Sequence, residues 1–270
     1  MRPARMLIAA YVLASLFACG GGGAGPAGST ASDAGGTSLG AAIDSTQAGQ
    51  SYTLQIWLPP GYAQGMATYP VIYAMDCEYR YSTLVSALQQ TQTEAILVNV
   101  CAMSSARRFV DFTMPGAASY HRFLTLELIP FVDARYRTNR ANRSLSGHSL
   151  SGEFVMYALY MEDPANRYFS AIVSEECTCW DDAAGAYSAQ LAQPIAMEQA
   201  MYDADHRLPV KLVMAGDDLA NGPQVAALYA TISGRGYVGL HSVHLSYRLG
   251  HVPMDGPAFA AALNFIYAVP

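Results

Sequence analysis

The sequence predicts an α/β fold with a mostly parallel central sheet and helices on both faces. Short β-rich segments alternate along the chain with segments whose apolar residues recur at helical spacing. This alternation favours right-handed βαβ crossovers, which place helices on the faces of a parallel sheet. The composition agrees, because 52% of the 270 residues are hydrophobic and 13% are charged, which excludes an intrinsically disordered chain.

Seven segments have the character of strands, and four have apolar residues on one helical face. The predicted strands are residues 52–58, 71–75, 95–100, 143–146, 171–173, 210–214 and 243–249. The predicted helices are residues 120–131, 150–161, 225–232 and 259–266. In such a fold, functional side chains are expected where the parallel strands end.

The first residues of the chain predict export. Arg2 and Arg5 precede an apolar run, residues 6–18, that is too short to span a bilayer and that ends before Cys19. This pattern resembles a bacterial lipoprotein signal, in which residues 1–18 are removed and Cys19 is lipidated. A plain secretory signal that is cut near the same place is the alternative.

The rest of the chain divides into a tether and one folded domain. Residues 19–40 are rich in glycine and small side chains, which predicts a flexible tether. Residues 41–270 carry all the predicted strands and helices. We expect this domain to lie outside the cytoplasm, held to the cell envelope on the periplasmic side or at the cell surface, and to contact the membrane only through the lipid. Nucleic acid is not expected as a partner, because the net charge is −6 and phosphate binding needs a basic surface.

The strongest local motif is the segment 146–152, Ser-Gly-His-Ser-Leu-Ser-Gly, between a predicted strand and a predicted helix. A serine on such a sharp turn exposes its hydroxyl, and its neighbours must be small so that strand and helix can approach. Ser149 is therefore the candidate nucleophile, with Gly147 and Gly152 beside it. A serine- and glycine-rich loop is the structural alternative.

A serine hydroxyl needs a base that takes its proton. His251 follows the last predicted strand, where the chain order of serine, acid and histidine requires the base. The remaining histidines are predicted to be packing or surface residues, and the side chain of His148 is expected to point away along the turn. They are His121, His148, His206, His241 and His244.

The acid that orients the base is expected after the strand at residues 210–214. Asp218 is the preferred candidate and Asp217 the reserve, because a carboxylate there would reach the imidazole and stabilise its cation. One of the two is expected to cap the following helix or turn instead. The oxyanion donors are predicted to be the backbone N–H groups of Leu150, which follows the nucleophile, and Cys77, in the loop after residues 71–75.

These motifs resemble the putative-esterase family of α/β-hydrolases, which includes enterobactin-type trilactone esterases, feruloyl esterases, S-formylglutathione hydrolases and mycolyltransferases. The similar stretches are residues 69–76, 108–115, 127–131, 147–150 and 249–251. The resemblance implies an α/β-hydrolase fold for the domain. Together with the three side chains, it predicts a serine esterase that acts on a small-molecule ester through an acyl-enzyme, without a metal or an organic cofactor.

Other functions remain open at this point. The same three side chains would serve an acyltransferase that passes the acyl group to an alcohol, or an enzyme that cleaves peptides. A catalytically inactive surface module on a hydrolase scaffold is the non-enzymatic alternative. Glu175 and Glu176 are expected near the site entrance, where they would favour cationic or neutral substrates or simply be solvated.

Four cysteines remain once Cys19 is assigned to the lipid. Cys77, Cys101, Cys177 and Cys179 each follow a predicted strand, and an even number of cysteines in an oxidising compartment favours disulfides. Three pairings are possible, and the resemblance implies Cys77–Cys101, whose strands are neighbours in the family. A zinc site is the alternative, although the spacings do not match paired ligands. We expect disulfides that brace the loops of the site.

Overall fold

The structure, a computed structural model, describes residues 35–179 and 193–268. Within them, eight strands form one sheet: β1 (Thr37–Ser45), β2 (Gln50–Leu58), β3 (Tyr69–Met75), β4 (Ile96–Val100), β5 (Thr138–His148), β6 (Ala171–Glu175), β7 (Arg207–Asp217) and β8 (Val238–Tyr247). The spatial order is β1-β2-β4-β3-β5-β6-β7-β8. The pairs β1–β2 and β2–β4 are antiparallel, and the pairs from β4 through β8 are parallel.

Helices connect the parallel strands. The described helices are α1 (Cys77–Thr91), α2 (Ser105–Phe112), α3 (Gly116–Arg122), α4 (Ile129–Asp133), α5 (Leu150–Met161), α6 (Gln193–Ala204), α7 (Gly222–Gly234) and α8 (Asp255–Tyr267). A short 3₁₀ turn covers Tyr62–Gln64, and a π-helical segment, Phe123–Leu128, joins α3 to α4. The predicted helix over residues 120–131 is therefore a continuous run whose middle is wound more widely.

Both faces of the sheet are covered by helices. Along β3, Ile72 and Ala74 pack with residues of α1 and α8, whereas Tyr73 and Met75 pack with residues of α5 on the other face. Successive side chains of a strand point to opposite faces, so a strand buried on both sides lies between two cores. The predicted fold class is confirmed.

The amino-terminal edge of the sheet was not predicted. β1 begins at Thr37, inside residues 19–40, which were assigned to the tether, so the described fold starts before residue 41. The side chains of this segment are too small to show a clear alternation of apolar and polar residues. Its strand conformation depends on antiparallel pairing with β2. Most of β1 is exposed, as is usual for an edge strand with only one partner. Residues 1–34, including the predicted signal and Cys19, lie outside the described part of the chain.

Two disulfides lie at the carboxyl ends of the parallel strands. Cys77 and Cys101, with Cα atoms 4.5 Å apart, join the chain after β3 to the chain after β4, which confirms the pairing that the resemblance implied. Cys177 and Cys179, with Cα atoms 5.2 Å apart, close a short loop after β6. Because all four sulfurs are in disulfides, these cysteines offer no thiolates for the alternative of a zinc site.

A helix that crosses a bilayer must be long and predominantly apolar. Among residues 35–179 and 193–268, no helix is both long and apolar enough to cross a membrane.

Candidate active site

Six parallel strands end along one edge of the sheet, in the spatial order β4, β3, β5, β6, β7 and β8. Ser149 directly follows β5, Glu176 directly follows β6, and His251 lies a few residues after β8. Ser149 and His251 line one cavity of about 240 Å³. The other lining residues are Asp76, Tyr79, Arg80, Arg108, His148, Val252 and Asp255.

The turn at Ser149 has the geometry expected of an exposed nucleophile. Its backbone has φ 60° and ψ −121°. Residues other than glycine rarely adopt this backbone conformation, and those that do are often found at functional sites. A side chain at Gly147 would clash with the backbone carbonyl of Ser151, and a Cβ at Gly152 would lie 2.6 Å from the carbonyl oxygen of Glu175. Both glycines are therefore required by the close approach of β5, α5 and β6.

The imidazole of His251 contacts a glutamate. Nδ1 of His251 lies 2.8 Å from Oε2 of Glu176, whose side chain is fully buried. The Glu176 carboxylate also accepts hydrogen bonds from the backbone N–H groups of Asp217 and Asn221, the latter at 3.2 Å. With Nδ1 engaged, Nε2 is the ring nitrogen of His251 that is available to a hydroxyl in the cavity.

Neither aspartate that was predicted as the orienting acid contacts the His251 ring. Asp218 accepts a hydrogen bond from Ser246 Oγ at 2.9 Å, on the neighbouring strand β8. Asp217 accepts from the backbone N–H groups of Gly250, Leu249 and Leu219. Burial would raise the pKa of Asp217, but these N–H bonds lower it below its usual value. The carboxylate that contacts the ring is therefore that of Glu176, and not that of Asp218, the preferred candidate, or of Asp217, the reserve.

The position of Glu176 in the sequence could have identified it as a candidate acid. Glu175 and Glu176 follow a buried parallel strand that is adjacent to the strand of the nucleophile. They were expected at the site entrance, as selective or solvated charges. Both are fully buried, so neither faces an incoming substrate as a free surface charge.

Each of the two predicted oxyanion donors is the first residue of a helix, and these helices follow two adjacent strands. Cys77 is the first residue of α1, after β3, and Leu150 is the first residue of α5, after β5. First-turn N–H groups have no partner within their own helix. The buried carboxylate of Asp76 accepts from Ser151 Oγ and from Arg108 Nε, both at 2.7 Å. This bridge joins the residue before one predicted donor to the residue after the other.

A buried ionic cluster forms part of the cavity wall, which Arg80 and Asp255 line. Arg80 contacts Asp255 at 2.7 Å, Ser146 Oγ at 3.3 Å, and Glu175. Burial raises the pKa of Glu175 well above its usual value, although Arg80 opposes the shift. Burial would also raise the pKa of Asp255, but the charge and hydrogen bonds of Arg80, with smaller contributions from His148 and Glu175, together lower that pKa. From the directions of these two shifts we expect Arg80 to form its ion pair with Asp255 and Glu175 to hold a proton.

The prediction that the His148 side chain points away from the site is wrong. Its side chain is buried, and its Nε2 lies 2.7 Å from the backbone carbonyl oxygen of His251. Among the other histidines, His121 contacts Glu162 at 3.2 Å and His206 stacks on Tyr202. These two have the packing roles that were expected of them.

One group of possible metal ligands occurs in the described residues. Cys77, Glu78 and Cys101 have ligand atoms within 4.8 Å of one another. Both sulfurs are disulfide-bonded, and the Glu78 carboxylate accepts the backbone N–H groups of Ala102 and Met103 at 3.1 and 2.7 Å. The donors are thus already committed to the protein itself.

Comparison with known proteins identifies the family. A model of the family described as Putative esterase matches residues 45–230. The chain belongs to this family. It is 27% identical over 136 residues to the ferri-bacillibactin esterase BesA of Bacillus subtilis (strain 168), in a match that covers 39% of this chain and 47% of the relative. The match thus spans about half the length of that relative.

Solved structures confirm the fold of this putative-esterase member. Similar ones are the BES protein from Bacillus cereus (TM-score 0.70, 18% identity, 86% of this chain and 95% of that chain) and the siderophore hydrolase EstB from Aspergillus nidulans (TM-score 0.71, 18% identity, 86% and 96%). An IroE-like serine hydrolase from Shewanella oneidensis has a TM-score of 0.69 and 20% identity, over 84% of this chain and 79% of that chain.

One matched pair of variants tests whether Asp255 is ionised and Glu175 is protonated beside Arg80. Asp255→Asn should lower the free energy of unfolding at pH 7 by about 3–5 kcal/mol, because it removes the carboxylate that pairs with the buried Arg80 charge. The lowered pKa of Asp255 means that its contribution is present above the usual aspartate pKa and is lost as the pH falls through the lowered value.

Glu175→Gln is the control, because an amide replaces a carboxyl group that we expect to be neutral. Its loss should be much smaller than that of Asp255→Asn when both are measured by urea unfolding. Equal losses, or a larger loss for Glu175→Gln, would contradict the assignment of the proton to Glu175.

Proposed function

We propose that the protein is a serine esterase that hydrolyses small-molecule carboxylic esters through an acyl-enzyme. The observation that carries the proposal is the contact between His251 Nδ1 and the buried Glu176, at 2.8 Å, beside the cavity that Ser149 lines. A carboxylate in this position selects the imidazole tautomer whose Nε2 accepts a proton, and it stabilises the imidazolium that forms. Membership in the putative-esterase family supports the same chemistry.

In the acylation step, Ser149 Oγ attacks the ester carbonyl carbon while its proton passes to His251 Nε2. The new bond turns the carbonyl oxygen into an oxyanion, which accepts hydrogen bonds from the backbone N–H groups of Leu150 and Cys77. When the tetrahedral intermediate collapses, the bond to the alcohol oxygen breaks. The alcohol leaves with the proton that His251 returns to it, and the acyl group remains on Ser149.

Deacylation repeats these steps with water as the nucleophile. Water gives a proton to His251 Nε2 and attacks the acyl carbon, the same two N–H groups hold the oxyanion, and the proton returns to Ser149 Oγ as the acid leaves. Glu176 stays in contact with Nδ1 throughout and offsets the charge of the imidazolium. No step requires a metal or an organic cofactor.

The substrate class is proposed from the similar proteins. They include a ferri-bacillibactin esterase, a siderophore hydrolase, an enterobactin hydrolase in complex with DFP and a ferulic acid esterase. Siderophore lactones and aryl esters are therefore the first natural substrates to assay, beside activated model esters.

Ser149→Ala tests the nucleophile. The variant should lose at least ~10⁴-fold in kcat for a p-nitrophenyl ester, because no hydroxyl remains to form the acyl-enzyme. Ser233→Ala, at an exposed serine of α7, is the matched control and should keep wild-type activity. The thermal midpoint of both variants checks that they fold.

Three outcomes would contradict the proposal. Activity retained by Ser149→Ala would indicate another nucleophile. Transfer of the acyl group to an added alcohol in preference to water would indicate an acyltransferase. A wild-type protein that neither turns over esters nor reacts with a fluorophosphonate probe would indicate an inactive binding module.

The acid is tested by a second pair of variants. Glu176→Gln should lower kcat by about 10⁴-fold, because an amide neither fixes the productive tautomer nor stabilises the imidazolium. Asp218→Asn removes the carboxylate that bonds to Ser246 and should change kcat by about twofold or less. If Asp218→Asn had the larger effect in steady-state assays, the role assigned to Glu176 would be wrong.

We also propose that the protein is exported and held to the cell envelope by a lipid on Cys19, with the membrane contacted only there. The basic start at Arg2 and Arg5, the short apolar run and the position of Cys19 support this proposal, as does the presence of two disulfides in the domain.

Replacing Cys19 tests this localisation. Cys19→Ala should move the protein from the membrane fraction to a soluble form when a bacterial host exports it, since a single substitution removes the acylated thiol. Cys177→Ala is the matched control, because its cysteine lies within the domain, and the protein should stay in the membrane fraction. An unchanged distribution of Cys19→Ala would contradict the lipid anchor.

A further inference from the structure

His148 contacts the backbone of the proposed base. Its Nε2 lies 2.7 Å from the carbonyl oxygen of His251, and the two imidazole rings have centroids 4.7 Å apart, with an angle of 60° between their planes. We propose that His148 is a positioning residue, which holds His251 at the place from which it serves Ser149. The proposal rests on the proposed function, in which His251 is the base.

The chemistry of the contact defines the proton on His148. A backbone carbonyl only accepts hydrogen bonds, so the hydrogen in the contact belongs to Nε2 of His148. The bond connects the residue immediately before the nucleophile with the main chain of the base. It therefore links the end of β5 to the loop after β8, across two intervening strands.

The surroundings of His148 favour a neutral donor. Arg80 of α1 and Asp255 of α8 line the same cavity, Glu175 of β6 is its partner in the sheet register, and the His251 ring lies beside it. Burial, with the charge of Arg80, lowers the pKa of His148 to about 4, although Asp255 opposes the shift. A neutral ring at this distance adds no positive charge beside His251 when the latter becomes an imidazolium.

Three contacts then determine the position of His251. Glu176 binds Nδ1 of the ring, His148 binds the backbone carbonyl, and Asp217 binds the N–H of the preceding residue, Gly250, at 2.9 Å. Glu176 acts on the ring, whereas His148 and Asp217 act on the main chain that carries it. Loss of the His148 contact should let the loop shift, and small misplacements of a catalytic group are costly in rate.

The experiment compares two replacements of His148 in the full-length protein. Gln keeps an N–H donor on a side chain of similar reach, and Met has a similar length without a donor. We expect His148→Gln to keep kcat for a p-nitrophenyl ester within about threefold, and His148→Met to lose about 10- to 100-fold, with KM of both changing by about twofold or less. A merely structural role would lower the thermal midpoint without separating the two variants in kcat.

The controls are His241→Gln and His241→Met, at an exposed histidine in the amino-terminal half of β8, and both should match the wild type. Equal kcat for His148→Gln and His148→Met would overturn the proposal. A wild type without esterase activity, or activity that survives Ser149→Ala, would overturn the proposed function instead, so the two failures are distinguishable.

A measurement on the wild type covers the case in which a variant does not fold. Long-range ¹⁵N–¹H NMR of the histidine rings at neutral pH should identify His148 as the neutral Nε2–H tautomer. The Nδ1–H tautomer, or a charged ring, would overturn the proposal without any substitution.

Discussion

The parallel alignment of β3, β5, β6, β7 and β8 is the constraint on which the site depends. It brings the carboxyl ends of these strands to one edge of the sheet. Neighbouring strands are about 4.8 Å apart, so the end of β8 lies roughly 14 Å from the end of β5. The loop that carries His251 must therefore return across β7 and β6 to line the same cavity as Ser149. Glu176, at the end of β6, lies on that path, and Asp217, at the end of β7, binds the returning loop at Gly250.

Buried polar contacts of Arg80 connect the elements that carry the site. Arg80 joins α1 to α8 and β6 through Asp255 and Glu175. Each of these elements carries part of the site, because α1 begins at Cys77, β6 ends before Glu176, and α8 begins shortly after His251.

The value of such a cluster is geometric more than energetic. Buried ion pairs seldom stabilise a fold relative to apolar residues of the same size, but an unpaired partner is costly, so Arg80 can be satisfied in few arrangements. The bridge from Asp76 to Ser151 likewise restricts the arrangement of Cys77 and Leu150, the two proposed oxyanion donors.

Periodicity and motif together could predict the alternation of strands and helices, the turn at Ser149 and the place of His251. These features are local, since each depends on a few neighbouring residues whose size and polarity are visible in the sequence. The acid could not be chosen in this way. Asp217, Asp218 and Glu176 all lie at the ends of buried strands, and the choice among them depends on tertiary contacts. Asp217 binds the main chain at Gly250, Asp218 binds Ser246, and Glu176 contacts the His251 ring.

Two further features lay beyond local reasoning for related reasons. β1 is defined by its pairing with β2, because its own side chains are small and mostly exposed. His148 has a side chain whose direction depends on a loop that is 103 residues away along the chain. Both are decided by tertiary contacts, which a pattern of single residues does not record.

A crystal structure of the protein after reaction with a small fluorophosphonate is the most direct test of the assembled site. We predict phosphorus bonded to Ser149 Oγ, with its non-ester oxygen about 2.7–3.1 Å from the backbone nitrogens of both Leu150 and Cys77. His251 should remain between this adduct and Glu176. An adduct on another residue, or an oxygen turned away from both nitrogens, would contradict the site described above.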